Sequence, residues 1–403
     1  MAVLAALAVA GDALVYWYGN QHHFFDLRIY ISALRWWAEG NPLYDYAQPD
    51  RVQGELYFTY PPFAALVLRP FAALPLGVTI VLFTLATVIA AAVTTWWLVT
   101  PLADRRGIPR WHALALAAPL VLLIEPFRET ITFGQINMLL VVLILADLLF
   151  AVPRNSRWAG LGIGLATALK LFPGIFIVYL LVTRRWRAAA GASVAAAAAT
   201  LLAVAFAPRD SWQFWTHSLW ATDRVGRTDY TGNQSLLGML SRLVAPHEPN
   251  RLLWLLLVVL AAGYGLWRAA RAARAGDEVA ALTLTGLVGA LVSPITWTHH
   301  IYWFVPALVI LVDVALPPRT EAYGAVDHRR RRVLLGVAAL VYAGIAYGVV
   351  SFFDWGAAPE PTDSPTEFVL RNVYVLLAVL LLVALPVRGQ RKALGDDAAT
   401  TVR

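Results

Sequence analysis

The sequence contains no cysteine, so the chain can form neither a disulfide framework nor a thiolate metal site. Lysine is almost as scarce, because only Lys170 and Lys392 are lysines among the 32 basic residues. Charged residues of both signs make up 14% of the chain, whereas soluble globular domains contain roughly 25%. A soluble core could not hide the apolar surface of such a chain, and a soluble protein is therefore not expected.

Hydrophobic residues are what the chain has in excess. They make up 59% of its 403 residues, the mean hydropathy is +0.62, and apolar stretches recur from one end to the other. Because a helix of roughly 20 apolar residues crosses a bilayer, this pattern is typical of an all-α polytopic membrane protein, here a single domain of residues 1–403. The twelve predicted helices span 2–18, 76–100, 111–125, 138–152, 158–169, 172–183, 188–208, 251–268, 279–294, 301–317, 333–352 and 371–388.

The distribution of basic residues predicts the orientation in the membrane. Cytoplasmic loops carry an excess of Lys and Arg. If 158–183 is a hairpin broken at Pro173 and Gly174, six inner segments hold 20 of the 32 basic residues. These segments are 101–110, 153–157, 184–187, 268–278, 318–332 and 388–403. The long loops 19–75 and 209–250 are then extracytoplasmic, and the tail 389–403 is cytoplasmic.

The same distribution bears on two other interpretations. The net charge of +7 does not indicate nucleic-acid binding, because the arginines fall in short segments between predicted helices. Residues 2–18 are interpreted as a retained helix rather than a signal peptide, since no basic stretch precedes them and no small-residue cleavage site stands out.

The first long loop begins with an amphipathic stretch. Apolar side chains recur at helical spacing, at Leu27, Tyr30, Ile31, Leu34 and Trp37. We expect a helix whose apolar stripe lies in the membrane interface, where amphipathic helices and tryptophan rings are favoured.

Polar side chains that apolar surroundings make costly gather at the outer face of this topology. They are Asp26, Tyr60, Arg128, Gln135, Asn137, Lys170, Asn233, Gln234, His299 and His300, with Trp297 beside the histidines and Glu125 and Glu129 beside Arg128. No comparable group is recognisable in the inner segments. Because polar groups at membrane depth are rare and mark functional sites, this gathering indicates chemistry at the outer face.

Each of these residues also has a structural interpretation. Asp26 could be the N-cap of the following helix, and Gln135 and Asn137 could hold helices together. Lys170 could extend from a helix end toward the interface, and the histidines could form an interfacial belt with Trp297. The Tyr-Pro-Pro sequence could simply shape a turn. Their convergence on one face is what favours a site.

A carboxylate, histidines and cations beside apolar grooves suit the transfer of a sugar from a lipid-linked phosphate. The lipid chain would lie between helices, Lys170 and arginines would bind the phosphate, and aromatic loops would stack on the sugar. A carboxylate beside the acceptor hydroxyl could then remove its proton.

Seven motifs follow one another along the chain: "FFDLRIY", "NPLYD", "FTYPPFAAL", "FGQINMLLVVLILAD", "ATALKLFPG", "GNQSLLGML" and "SPITWTHH". Through these motifs, within residues 24–315, the chain resembles glycosyltransferase family 87, the polyprenyl-phosphate-mannose-dependent mannosyltransferases with the GT-C fold. Within that family it is similar to the actinobacterial α-1,2-mannosyltransferases that extend phosphatidylinositol mannosides and lipomannan.

This resemblance implies an inverting transfer on the extracytoplasmic face of the plasma membrane. Mannose would pass from a β-linked polyprenyl-phosphate donor to a glycolipid acceptor, with no metal and no other cofactor. GT-C enzymes keep an acidic residue at the end of the first helix as catalytic base, and Asp26 occupies that position.

The remaining site residues are assigned from both lines of reasoning. Lys170 and Arg128 are expected to hold the donor phosphate, and His299 or His300 to assist Asp26 or relay its proton. The expected substrate-binding residues are Tyr60, Gln135, Asn137, Asn233, Gln234 and Trp297. Because successive helical residues point about 100° apart, we expect only one histidine to face the cavity, and favour His299.

Two other functions stay open at this point. A related enzyme could transfer another lipid-linked sugar such as arabinofuranose, because motifs of this kind do not identify the sugar. A flippase or transporter for lipid-linked sugars would place its site near the bilayer midplane between repeats. No repeat is visible and the polar groups gather at one face, which favours the enzyme.

Overall fold

The computed structural model of the chain describes residues 22–50, 54–316, 328–348 and 362–388, with residue 353 and a few isolated positions between 5 and 13. Apart from those positions, the predicted helix 2–18 and the predicted tail 389–403 lie outside the described residues.

The described chain is mainly helical. Its helices are α1 (Phe25–Ala38), α2 (Pro62–Ala72), α3 (Leu76–Arg106), α4 (Arg110–Leu123), α5 (Glu125–Phe133), α6 (Asn137–Ala146), α7 (Leu161–Leu169), α8 (Ile175–Val182), α9 (Trp186–Phe206), α10 (Pro208–Gln213), α11 (Leu236–Val244), α12 (Arg251–Arg274), α13 (Glu278–Val292), α14 (Phe304–Ala315), α15 (His328–Tyr347), α16 (Pro365–Arg371) and α17 (Val373–Ala384). Two short strands, β1 (Ala47–Asp50) and β2 (Gly54–Tyr57), pair antiparallel between α1 and α2.

The long predicted helices within the described ranges are confirmed, with shifted ends. Helix α3 continues to Arg106 rather than residue 100, and α12 to Arg274 rather than residue 268. Arginines in the last turn interact favourably with the helix dipole, whereas the hydropathy pattern marks only the apolar part of a helix. Helices α2, α5, α10, α11 and α16 and the β-hairpin were not predicted, because each is too short or too polar for that pattern.

The described residues contain three to five candidate membrane spans. Helices α3, α9 and α12 are each long and apolar enough to cross a bilayer. Two bent pairs pass the same test together, namely α5 with α6 and its following turn, bent by 120°, and α16 with α17, bent by 74°. The full set of twelve spans stays a prediction.

Helix α1 packs inside the protein. Leu27, Ile31 and Leu34 of its apolar stripe are at most 2% exposed, and the helix contacts α2 and α5. The expectation that this stripe lies in the membrane interface is therefore wrong. Helical spacing shows that one side of a helix needs cover, but it does not show what covers it. The packing fixes the first turn of α1, which contains Asp26, against the interior.

The predicted break between the helices 158–169 and 172–183 is confirmed, although the second α-helix begins only at Ile175. Helix α7 packs closely on α9, where a Cβ on Gly160, whose φ is 95°, would lie 2.1 Å from the carbonyl oxygen of Ala188. At its end, Lys170 has extended backbone, with φ −154° and ψ 127°, and a 3-10 turn follows at Phe172–Gly174. Lys170 is thereby outside both flanking helices. That the two helices form a hairpin across the membrane stays a prediction.

A second polar cluster lies among the segments assigned to the inner side, so the expectation that they hold none is wrong. Nitrogens of Arg388 lie 2.5 Å from Asp277 and 2.9 Å from Asp313, and Arg105 and Arg106 reach Asp313 at 2.6 and 3.5 Å. Except for Asp313, which lies within the predicted helix 301–317, each of these residues looks like an ordinary loop charge in the sequence. We call these five residues the Arg388 cluster.

Candidate active site

Asp26 lies at the start of α1. The N-cap residue of this helix is Phe24, which has left-handed backbone angles of φ 57° and ψ 40°, and Asp26 follows in the first turn. Asp26 is therefore not the helix cap. Its Oδ2 instead accepts a hydrogen bond from Nε2 of Gln135, 109 positions further along the chain. The positive end of the helix dipole also favours an ionised carboxylate at this place.

Gly134 makes the contact between Asp26 and Gln135 possible. It follows α5 with φ 74°, and a Cβ placed on it would lie 2.5 Å from the Cβ of Leu27. Any other residue would strain the positive φ and push the bend away from α1. The "FGQIN" motif thus brings Gln135 and Asn137 to the bend between α5 and α6, beside the start of α1.

Lys170 is the cation at the centre of the site. Its Nζ lies 3.0 Å from Oδ1 of Asn137, 3.3 Å from Oε1 of Gln135 and 3.0 Å from Nε2 of His300. It also lies 5.0 Å from the centre of the Tyr60 ring, within the range of a cation–π contact. These contacts occupy every hydrogen-bonding position of the nitrogen, so Lys170 is held within the protein rather than extended toward an interface.

Gln135 links the carboxylate and the cation without bringing them into contact. Its amide nitrogen donates to Asp26, and its amide oxygen accepts from Lys170 and, at 2.6 Å, from the hydroxyl of Tyr60. Among the described residues, Asp26 forms no direct ion pair with Lys170. A direct pair would favour the charged form of the carboxylate more strongly and weaken it as a base.

Burial sets the proton affinity of both groups. It raises the pKa of the Asp26 carboxyl to about 6, although the Gln135 hydrogen bond and the Coulomb interactions with Lys170 and His22 act in the opposite direction. Burial also lowers the pKa of the Lys170 amine to about 7, against the opposing effect of Asp26. An aspartate that titrates near 6 is better matched to a general base near neutral pH than an ordinary aspartate is.

His300 constrains the charge of Lys170. Burial and the charge of Lys170 hold the pKa of His300 well below its usual value, so the ring is neutral. Its Nδ1 accepts a hydrogen bond from the backbone N–H of Trp297 at 3.2 Å, which assigns the ring proton to Nε2. If Lys170 were an ammonium, one of its N–H groups would point at the Nε2–H of His300, and two donors would face each other without an acceptor. The contact is satisfied when Lys170 is a neutral amine that accepts from His300.

Both histidines lie in the wall of the same cavity, whereas only one was expected to face it. Thr298–His300 forms a 3-10 turn rather than an α-helix, and the two rings are nearly perpendicular, with centres 4.6 Å apart. The carbonyl of His299 accepts from Asn137 at 2.9 Å, while its ring nitrogens have no hydrogen-bond partner among the described residues. Which histidine acts in catalysis stays a prediction.

Asn233 and Gln234 lie behind the site and are at most 1% exposed. Asn233 exchanges hydrogen bonds with the backbone of 294–296, and Gln234 donates to the carbonyl of Arg371. Trp297 itself lines the cavity. The observed contacts fix the segment before the histidines, and the expected contacts of these residues with substrate stay a prediction.

The structure does not bring Arg128 to Lys170. Its Nη1 donates to the carbonyl oxygens of Leu123 and Ala346, the second at 2.9 Å. The residue is also not part of the cavity wall. Its contacts therefore give no support to the expected role in phosphate binding.

One cavity of about 640 Å³ unites most of the predicted site. The predicted residues in its wall are Asp26, Tyr60, Gln135, Lys170, Trp297, His299 and His300. Asn137 lines an adjacent apolar pocket, which shares Lys170 and both histidines with the large cavity.

Further residues of the cavity wall were not predicted, among them His22, Tyr30, Tyr57 and Arg224. His22 stands four positions before Asp26, which is the one signal that could have found it. Among the described residues, no group of three or more His, Asp or Glu side chains could hold a metal ion. Chemistry without a metal stays a prediction.

Comparison with known proteins places the chain among glycosyltransferases. The sequence pattern of glycosyltransferase family 87 matches residues 58–294. A polyprenol-phosphate-mannose-dependent alpha-(1-2)-phosphatidylinositol mannoside mannosyltransferase of Mycolicibacterium smegmatis is 36% identical over 370 residues, which are 86% of this chain and 80% of that protein. The protein of the same description from Mycobacterium tuberculosis is 34% identical over 351 residues, 82% of this chain and 78% of that protein.

An alpha-(1->3)-arabinofuranosyltransferase of Mycobacterium tuberculosis is more distant, at 29% identity over 259 residues, 62% of this chain and 55% of that protein. No solved structure matches the chain. Because the family pattern covers more than half of the chain and two relatives above 30% identity extend over most of it, the chain belongs to glycosyltransferase family 87.

Proposed function

We propose that this protein is an inverting α-mannosyltransferase of the plasma membrane. It moves mannose from polyprenyl-phosphate mannose to a phosphatidylinositol mannoside or a lipomannan-type glycolipid and forms an α-1,2 linkage. The observation that carries the proposal is the contact chain Asp26–Gln135–Lys170–His300 in the wall of a cavity of about 640 Å³. The two relatives described as polyprenol-phosphate-mannose-dependent support the same donor.

The proposed reaction is a single displacement at C1 of the mannose. A hydroxyl of the acceptor attacks C1 on the face opposite to the phosphate. The bond between the acceptor oxygen and C1 forms while the bond between C1 and the phosphate oxygen breaks, so a β-linked donor yields an α-linked product. The hydroxyl proton passes to Asp26, and the electron pair of the broken bond leaves with the polyprenyl phosphate.

Lys170 and His300 are assigned to the phosphate. As a neutral amine, Lys170 donates to Gln135 and Asn137 and accepts from Nε2–H of His300. Protonation of the amine gives it a third N–H, and both this N–H and that of His300 can then donate to a phosphate oxygen. Donor binding is thereby coupled to the uptake of one proton, and the resulting ammonium stabilises the charge that develops on the leaving phosphate.

The proposal includes the GT-C fold with about twelve spans and an active site on the extracytoplasmic side. The excess of arginine in the segments assigned to the cytoplasm supports this orientation, because Asp26, Lys170 and the histidines lie in or beside segments of the other side. The scheme gives no role to a metal, since Asp26 supplies the base and Lys170 the positive charge.

The test is transfer by the purified protein from radiolabelled polyprenyl-phosphate mannose to a panel of phosphatidylinositol mannosides, followed by mapping of the product linkage. We expect an α-1,2 product, and a loss of rate of about 10²–10⁴ for Asp26→Asn, which is the usual contribution of a general base. Asp45→Asn is the matched control, because Asp45 is exposed in the same loop and bonds to Gln213. If Asp26→Asn kept more than about a tenth of the rate, another residue would have to be the base.

The same assay separates the alternatives. A polyprenyl-phosphate arabinofuranose donor, supplied in parallel, tests the activity named for the 29% identical relative. A flippase would move the intact lipid-linked sugar across a vesicle membrane and would give no transfer product in detergent. Formation of a mannosylated acceptor by the purified protein therefore excludes a flippase as the whole explanation.

A further inference from the structure

The cavity is larger than the donor sugar requires. Its volume of about 640 Å³ corresponds to roughly twenty water molecules of ~30 Å³ each. On that scale the twelve heavy atoms of a hexose fill at most about 360 Å³. The donor mannose therefore leaves roughly 280 Å³ of the cavity, which is space for part of the acceptor.

One wall of the cavity is formed by residues that the proposed reaction does not use. It consists of the β1–β2 hairpin and the segment 214–225, and it contributes Asp50, Tyr57, Phe214, Ser218, Leu219 and Arg224. No hydrogen bond or ion pair joins this wall to Asp26 or Lys170 within the described part of the chain. The wall is thus a separate surface of the same cavity.

Arg224 is the fixed cation of this wall. Its guanidinium carbon lies 4.0 Å from the centre of the Tyr57 ring, and one of its nitrogens donates to the carbonyl of Tyr44 at 2.7 Å. Strand β2 also contacts the 3-10 turn Thr222–Val225, which carries the residue. A guanidinium held in this way binds an anion with less loss of side-chain freedom than a mobile surface arginine.

Arg224 and Lys170 are held by two tyrosines of one short segment. Arg224 lies over Tyr57, and Lys170 lies over Tyr60, three positions later. Asp26 and Arg224 both line the same cavity, so one acceptor molecule can present its reacting hydroxyl at Asp26 and a charged group at Arg224.

We propose that Arg224, on its Tyr57 ring, is the acceptor subsite and binds the phosphodiester that joins the sugar headgroup of the glycolipid to its lipid. The inference rests on the proposed function, because it assigns the donor phosphate to Lys170. A planar guanidinium suits a phosphodiester, to which it can donate two parallel hydrogen bonds.

The test compares two acceptors that end in the same sugar. One is a phosphatidylinositol mannoside, and the other is octyl α-mannoside, which has no phosphodiester. Arg224→Gln should raise the KM for the phosphatidylinositol mannoside roughly 10-fold or more. It should leave the KM values for octyl mannoside and for the donor within about twofold. Arg227→Gln is the matched control, because Arg227 pairs with Asp229 in the same segment and lies outside the cavity wall.

An equal rise of KM for both acceptors, or no rise for either, would overturn the assignment. Arg224→Lys guards against a loss of structure, since it keeps the charge but not the planar fork. In Arg224→Lys, a rise of KM that is smaller than in Arg224→Gln and confined to the phosphatidylinositol mannoside supports the subsite. Equal changes of KM for both acceptors contradict it. If the wild-type protein transferred mannose to neither acceptor, the proposed function itself would fail, which is a distinguishable result.

Discussion

Asp26 and Lys170 have pKa values that burial moves toward each other, to about 6 and about 7. The amide of Gln135 lies between the two groups and bonds to both. Such a pair gains or loses a proton with little change of free energy near neutral pH. The reaction requires one proton to arrive at the base and a positive charge to face the phosphate, and these two residues can supply both.

The pH profile of kcat/KM should therefore be bell-shaped, with both limbs close to neutrality. The rate should rise as the pH increases through about 6, because Asp26 must lose its proton before it can act as a base. It should fall as the pH increases through about 7, because fewer molecules then carry the Lys170 proton that the donor phosphate needs. Initial rates at low donor concentration measure both limbs.

The substitution Lys170→Met tests which limb of the pH profile belongs to Asp26 and which to Lys170. Lys170 is protonated at the pH of the acidic limb and then lowers the pKa of Asp26, so in Lys170→Met the acidic limb should move to higher pH and the alkaline limb should vanish. His22 faces Asp26, and His299 and His300 face Lys170, but burial lowers the pKa of all three rings and they stay neutral in this range. A profile unchanged in Lys170→Met would contradict the assignment.

At the scale of elements, the bend between α5 and α6 assembles the site, and Gly134 is its hinge. Gly134→Ala should lower kcat by about 10²-fold, because the added Cβ meets Leu27 and displaces Gln135, and displacements of about 1 Å have effects of this size. The weakened Gln135 hydrogen bond should also move the acidic limb of the pH profile to higher pH, since that bond lowers the pKa of Asp26.

The control for this substitution is Gly77→Ala in the first turn of α3, where a Cβ would meet nothing within 4 Å. It should leave both kcat and the pH profile unchanged. A loss of kcat in Gly134→Ala with an unmoved acidic limb would mean that the bend acts on something other than the contact between Gln135 and Asp26.

The elements also show what a sequence can and cannot predict. The long helices were predictable because their apolar stretches are uninterrupted, and Asp26, Gln135 and Lys170 because polar groups among apolar residues are rare. Helix α5 was not, since its nine residues are too few and too polar for a hydropathy signal.

The contacts between residues far apart in the chain, and the residues that line the cavity, could not be predicted for a different reason. His300 meets Lys170 across 130 positions, and nothing in either motif indicates the other. Arg224 is one arginine among many in a loop, and only the packing of β2 against its turn shows that it faces the cavity.

At the scale of the whole molecule, the Arg388 cluster joins the start of α13, the body of α14 and the chain after α17. Arg388→Ala should lower the unfolding temperature, because it leaves Asp277 and Asp313 buried without this partner. The loss should be smaller than the roughly 3–5 kcal/mol of a fully buried pair, since 24% of the Arg388 side chain is exposed. Thermal unfolding in detergent measures the effect.

Arg110→Ala is the matched control, because the pair of Arg110 with Asp104 is exposed on both sides and should contribute little. The KM for the donor should stay the same in both variants. Equal unfolding temperatures for Arg388→Ala and Arg110→Ala would mean that the cluster does not hold these segments together.

The groups of the candidate site come from segments far apart in the chain. Asp26 and Gln135 are 109 positions apart, and Lys170 and His300 are 130 positions apart. A ribosome delivers such a chain from its N-terminus, so the base enters the membrane long before the histidine that completes the contact with the lysine. Until His300 is inserted, the contact between Lys170 and His300 that is proposed to bind the donor phosphate does not exist. We therefore expect the nascent chain to be inactive until His300 has been inserted, so that half-made copies do not consume the lipid carriers of their own membrane.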